Sequence, residues 1–336
     1  MKIDAGIGPD LTKAVESARQ AEATGYDGIW SAETNSDPFL PLLLAAEHTE
    51  RIEIGTGIAV AFARSPMTTA AQAHALQNYS QGRFLLGLGS QIKPHIEKRF
   101  SMPWSHPAPR MREFILALRA IWDCWNNGTK LDFRGEFYSH TLMTPFFTPP
   151  ASPNGPPQVF LAAVGEKMTE VVGEVADGML VHGFTTKRYL REVTMGALER
   201  GAAKADKTAA DIQLSLPCFI VTGADDESTA AADQAVRQQI AFYGSTPAYR
   251  GVLELHGWGD LQTELNVLSK QGQWKEMGEA VTDDVLHAFA VVAEPDDVAD
   301  GLHKRFGDIV HRLSFYTPYA VDDEITAHVV ERLKNR

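Results

Sequence analysis

The sequence predicts an α/β fold, a single (β/α)8 barrel carrying insertions, and three observations lead there. Short apolar runs alternate with amphipathic stretches along most of the chain. The runs are nearly continuous in apolar residues, as in strands buried on both faces. The links between them are short, which favours parallel strands covered by helices. Eight strands can be placed, around Ile3, Gly28, Ile54, Phe84, Val159, Met179, Leu214 and Leu313, and a (β/α)8 barrel needs eight. A doubly wound open sheet is the competing arrangement.

The elements follow in order. Residues 2–7 read as a strand. Asp10 suits an N-cap, Leu11, Ala14, Val15, Ala18 and Ala21 share a helical face, and Gly25 suits the stop. A second strand covers 26–31. A helix over 39–48 has Pro41 in its first turn. Residues 51–61 read as one continuous third strand, 66–79 as a helix and 82–89 as the fourth strand. A helix over 109–125 precedes a small hairpin at 131–140. The stretch 145–157 holds six prolines and must be loop. Strand–helix alternation resumes directly after it, so it reads as an insertion rather than a domain linker. Strands at 158–163 and 178–182 flank a helix at 167–176. A strand at 212–222 leads to a helix at 228–243. Residues 245–290 form an irregular, largely helical insertion. A helix at 296–305, a strand at 309–316 and a helix at 322–333 close the chain. One domain is expected over 1–336, with insertions near 91–106, 128–157 and 245–290.

Composition narrows the function. The 336 residues include 31 Lys and Arg against 43 Asp and Glu, a formal net charge of −12. That balance argues against nucleic-acid binding and against adsorption to anionic membranes, but leaves room for a local basic pocket. Apolar residues at 44% and charged residues at 22% are globular values and exclude disordered and fibrous classes. Cys124 and Cys218 lie far apart, so neither a disulfide framework nor a cysteine zinc site is supported. The His residues show no metal-ligand spacing, and no metal is expected. The start carries no secretory leader pattern, and apolar runs such as 58–62 are too short to span a bilayer. A cytoplasmic protein with a small-molecule substrate is the expectation.

Catalytic groups of such barrels lie at the C-terminal ends of the strands. That rule selects Glu33, residues 57–59, residues 90–95, residues 163–165, His182 and Tyr316. Gly87-Leu88-Gly89-Ser90 begins like a dinucleotide fingerprint but lacks the third glycine and the later acidic residue. No P-loop, HExxH or GxSxG motif occurs. Ala162-Ala163-Val164-Gly165, at a strand-to-helix turn, would let backbone N–H groups approach an anion. Simple turn chemistry explains the same residues.

Several segments together carry a resemblance. They are Ala21-Glu22 with Gly25-Tyr26-Asp27-Gly28-Ile29-Trp30, then Arg51-Ile52 and Ile54-Gly55-Thr56. Ser65-Pro66-Met67 is followed by Tyr79-Ser80-Gln81-Gly82-Arg83 and Gly87-Leu88-Gly89. Ala176-Asp177-Gly178 and Pro295-Asp296-Asp297-Val298-Ala299 complete the series. In this order they resemble the luciferase-like family of flavin and deazaflavin oxidoreductases. The segment from Gly87 to Phe100 with Met102-Pro103-Trp104 looks like its branch that uses coenzyme F420. The resemblance implies hydride transfer to or from a small organic substrate, and a homodimer. It also implies a bulge late in the third strand, with a cis peptide at Gly57–Ile58, supporting one face of the cofactor ring. An FMN-dependent monooxygenase is the alternative, and a barrel that binds deazaflavin without turnover is a third reading. Two departures bear on the general acid. Ala32-Glu33-Thr34 stands where the family usually has an Asp-His pair, and Gln91-Ile92 replaces an acidic residue.

Roles follow from these positions. Gly57, Ile58, Ala59, Ser90, Gln91, Ala163, Val164 and Gly165 are the expected cofactor contacts. Glu33, His95 and His182 are the candidate proton carriers, because hydride transfer leaves a proton to be supplied or removed. Each has an ordinary alternative: a capping carboxylate, a surface loop histidine and a hydrogen-bonded structural histidine. Lys93, Lys98 and Arg99 form a basic patch that suits an anionic cofactor tail or a solvated face. Trp104, Trp258 and Trp274 would cap a pocket or pack down their insertions.

Overall fold

The structure, a computed structural model, describes residues 1–335. Eight parallel strands close into a barrel with helices around it. They are β1 (Lys2–Ile7), β2 (Gly28–Ser31), β3 (Glu53–Thr56), β4 (Phe84–Gly89), β5 (Gln158–Ala163), β6 (Gly178–Val181), β7 (Gln213–Val221) and β8 (Arg312–Tyr316). All eight are the expected strands. The third differs: instead of one run over 51–61, β3 stops at Thr56 and a two-residue strand, Ala59–Val60, pairs with β4 after a break. An unexpected short strand, Ala290–Val292, lies beside the end of β7.

The chain resolves into two compact units. One comprises 1–4, 181–196 and the residues from 214 onward; the other comprises 5–180 and 197–213.

In the second unit, local signals set the element ends. Asp10 caps the helix Leu11–Thr24 by accepting from the Thr12 N–H at 3.0 Å, and Gly25 ends it in the left-handed region at φ +97°. Ser65 caps Pro66–Tyr79 in the same way. Conserving one close approach is the task of Gly87. Thr56 Oγ1 donates to the Gly87 carbonyl at 2.7 Å and accepts its N–H at 2.9 Å, and a Cβ on Gly87 would sit 1.8 Å from the Thr56 carbonyl oxygen. The resemblance motifs are largely structural here. Arg83 donates to the carbonyls of Ala46, Thr49, Ile52 and Ser80, and Asp177 accepts from Arg119 and from the Val159 N–H. The expected hairpin pairs Phe133–Arg134 with Ser139–His140, its turn held by three N–H bonds onto Glu113.

In the first unit, β8 pairs with both β7 and the start of β1. Arg312 and Asp4 form an ion pair at 2.7 Å with side chains 1% and 0% exposed. A single apolar core joins Phe219 and Val221 of β7 to Ala232, Val236 and Ile240 of the helix Asp226–Gly244 and to Val285 and Phe289 of the insertion. That insertion is a run of short helices between 247 and 289.

Candidate active site

The break after β3 is built from the strand beside it. The Gly57 N–H donates to the Ser31 carbonyl at 2.7 Å, and the Glu33 N–H donates to the Ile58 carbonyl at 3.1 Å. The Gly57–Ile58 peptide is cis, at the bond the resemblance implied. Glu33 Oε2 accepts from the Val60 N–H at 2.7 Å and from Arg64 Nη1 at 2.5 Å. Arg64 also donates to the Val60 carbonyl and, at 2.9 Å, to Asp37 Oδ2. The Glu33 and Arg64 side chains are only 7% and 13% exposed. Glu33 therefore binds both the backbone and the side chain that follow the bulge. This is a positioning arrangement whatever proton role the carboxylate also has. Gly57 and Ile58 stay half-buried, leaving a ledge of small backbone area.

Past β4, Ser90 Oγ donates to the Gln91 carbonyl, and Gln91 adopts φ +58° with its side-chain oxygen accepting the Ile92 N–H. His95 is exposed on a short π-helix, His95–Arg99. Of the basic patch, Arg99 donates to the Thr34 carbonyl and Lys93 lies 3.8 Å from Glu97. Trp104 packs edge-on against Phe62, 5.7 Å between centroids.

After β5, Ala163 is buried and Val164 exposed. Gly165, at φ +79°, precedes the helix Glu166–Val175 with no side-chain cap. Nothing lies within 4 Å of where a Cβ would stand on Gly165, nor on Gly6 and Gly8 of the first strand and its end. Such open backbone suits a flat ring and an anionic group approached by N–H donors. The half-buried backbone at Gly57–Ile58 and the uncapped helix start at Gly165 are where this unit would meet the ring and the anionic group of a flavin-type cofactor. No group of three or more His, Cys, Asp or Glu arranged to hold a metal exists among the described residues.

His182 stands elsewhere, just after β6 in the first unit. Its Nδ1 accepts the Phe184 N–H at 3.0 Å, so the neutral ring carries its proton on Nε2, which meets Tyr249 Oη at 3.1 Å. The ring stacks on Tyr249 at 4.6 Å and meets Tyr243 edge-on at 4.7 Å. Tyr243 and Tyr316 share a hydroxyl–hydroxyl bond of 2.6 Å, and Tyr316 stacks on Phe219. Burial pushes the His182 pKa down to about 4 and the Tyr316 hydroxyl well above its usual range.

That depression has a consequence for acid stability. Between pH 6.5 and 4 the unfolded imidazole takes a proton that the folded one refuses. Stability is therefore complete above pH 6.5 and falls toward pH 4, by about 3 kcal/mol from this group. His140, His256 and His311 are shifted the same way, chiefly by burial, so a comparison isolates His182. Denaturant unfolding of a His182→Gln variant is expected to weaken less than the parent across that window. Equal losses would assign the acid sensitivity to the other groups.

A family model described as luciferase-like monooxygenase matches residues 2–312. The chain belongs to the luciferase-like monooxygenase family. An uncharacterized protein of Mycobacterium tuberculosis is 57% identical, covering 93% of this chain and 92% of its own. The 5,10-methylenetetrahydromethanopterin reductase of Archaeoglobus fulgidus is 28% identical, covering 84% of this chain and 83% of its own. Among solved structures, the coenzyme F420 dependent tetrahydromethanopterin reductase of Methanopyrus kandleri superposes with a TM-score of 0.78 at 21% identity, over 98% of this chain and 97% of that one. It is a likeness of fold.

Within this luciferase-like barrel, the structure gathers Glu33, Gly57, Ile58 and Ala59 around one bulge and leaves His95 in solvent. Arg64 and Asp37 escaped the sequence reading because no motif marks an arginine as the partner of a carboxylate 31 residues earlier. Tyr243 and Tyr249 escaped because they lie on a helix end and an insertion, where barrel position gives no rule. The two remaining tryptophans also separate: Trp258 stacks on His256 at 4.6 Å, whereas Trp274 is exposed beside Phe242.

Proposed function

We propose that the protein is a coenzyme F420-dependent oxidoreductase that moves a hydride to or from a small organic substrate. The observation that carries this reading is the bulge at Gly57–Ala59, held by Glu33 and Arg64 into a ledge of backbone and small side chains. The similarity to a methylenetetrahydromethanopterin reductase over most of the chain favours deazaflavin over FMN. When bound, the deazaflavin accepts or gives up the hydride. The residues of the chain do the rest. Gly57 and Ile58 would support the ring with Ala59, expected as a contact, fully buried behind them; Ser90 and Gln91 would border it, and Val164 and Gly165, following the buried Ala163, would receive its phosphate at a helix N-terminus. Glu33 keeps the ledge in place and is the carboxylate we assign to proton transfer.

A paired titration with F420 and FMN, followed by fluorescence quenching, tests the reading. Tight F420 and weak FMN binding is expected. The reverse would move the protein to the oxygen-activating alternative, and binding of neither would remove the reading. The Glu33→Gln variant separates the two tasks of that residue. Retained F420 affinity with lost turnover marks a proton carrier, and lost affinity marks a support of the ledge.

A further inference from the structure

The rings of His182, Tyr243, Tyr249 and Tyr316 are not used by that reading, and their hydrogen bonds do not close. His182 Nε2–H donates to Tyr249 Oη, because Nδ1 is already taken as an acceptor. Tyr249 accepts that bond, and among the described residues its own hydroxyl proton has no acceptor. In the Tyr243–Tyr316 pair one hydroxyl donates to the other, so one further proton is unspent. The rings come from four places: the end of β6, the helix Asp226–Gly244, the turn at Pro247–Tyr249 and the end of β8. All four are half-buried rather than sealed in the core beneath them. No ion pair or hydrogen bond brings a charged side chain onto them among the described residues.

We infer that His182, Tyr243, Tyr249 and Tyr316 form a binding site for an uncharged, planar molecule carrying a conjugated carbonyl oxygen. The rings pack on one another, and the half-buried aromatic surface they leave suits a flat π system. Two spare hydroxyl protons suit an acceptor oxygen. Among the described residues no charged side chain is bonded to the rings, so they offer no paired counter-charge to a carboxylate, whose desolvation is costly. Taking this molecule as the substrate rests on the oxidoreductase reading; the binding site does not.

The test uses the full chain and three probes: coumarin, naphthalene and coumarin-3-carboxylate. Binding is read by fluorescence or calorimetry. Coumarin is expected to bind more tightly than its carboxylate. Tyr249→Phe, and Tyr243→Phe combined with Tyr316→Phe, should each weaken coumarin by about 3- to 10-fold, the value of one hydrogen bond, and leave naphthalene unchanged. F420 affinity should be unaltered in both variants, and both should stay folded, with melting points lowered by no more than the loss of their ring hydrogen bonds gives. Absence of coumarin binding, equal weakening of coumarin and naphthalene, or tighter binding of the carboxylate would overturn the site. A parallel loss of F420 affinity would assign the rings to the cofactor and overturn it as well. Coumarin binding as expected in a protein that takes neither F420 nor FMN would support the site while removing the hydride-transfer reading.

Discussion

Gly87→Ala is expected to yield no folded protein. The added methyl carbon would stand 1.8 Å from the Thr56 carbonyl oxygen and 2.9 Å from a Leu180 methyl. The first of these is backbone, so no rotamer change relieves it. Retreat of β3 from β4 would also break both bonds between Thr56 Oγ1 and Gly87, leaving buried polar groups at about 1–3 kcal/mol each. Together with the overpacking, the loss approaches the whole stability of an ordinary domain. Gly6→Ala is the control: it lies in a strand, has a backbone open to any residue, and meets nothing within 4 Å. Soluble expression and circular dichroism decide. A Gly87→Ala protein with parental melting behaviour would mean that the two strands separate at little cost.

The second large effect concerns charge rather than volume. Arg312→Met is expected to destabilise the protein by about 3–5 kcal/mol, because it leaves the buried Asp4 carboxylate without its guanidinium. The double variant Asp4→Leu with Arg312→Met should recover most of that loss, since a buried ion pair barely outweighs the desolvation of its members. Urea unfolding of parent, both single variants and the double variant completes the cycle. A double variant as unstable as the worse single one would show that the pair contributes more than mutual neutralisation. The pair joins residues 308 positions apart. Its loss should therefore be felt as global unfolding, with no separate local transition.

The same contrast between local and distant partners explains what was legible in the chain. Asp10, Gly25 and Ser65 act on N–H or carbonyl groups within a few residues, so their capping roles are written in adjacent positions. The strands are legible because burial on both faces demands an apolar run. Apolarity alone reads the third strand as continuous, because residues 57–61 are as apolar as the rest. The resemblance placed a bulge at Gly57–Ile58, and the structure shows how it is held: the Gly57 N–H donates to the Ser31 carbonyl and the Glu33 N–H to the Ile58 carbonyl. The short strand Ala290–Val292 had no pattern long enough to separate it from the helices before it.

Of the site, barrel position located Glu33, the bulge and His182 but not their partners. Sequence gives Glu33 only its place after the second strand and a capping carboxylate as the ordinary alternative, whereas its hydrogen bonds run to Val60 and Arg64. His182 as a proton carrier near neutrality rested on the free imidazole value, and burial against two tyrosines moves it to about 4. By itself the sequence determined the eight strands, the helix ends, the family resemblance and the absence of charge patterns for nucleic acid. Only the tertiary structure decided which side chains share protons: Glu33 with Arg64, His182 with Tyr249, Tyr243 with Tyr316. Periodicity and capping depend on interactions a few residues apart, while those bonds span from 31 to 73 positions and exist only once the chain has packed.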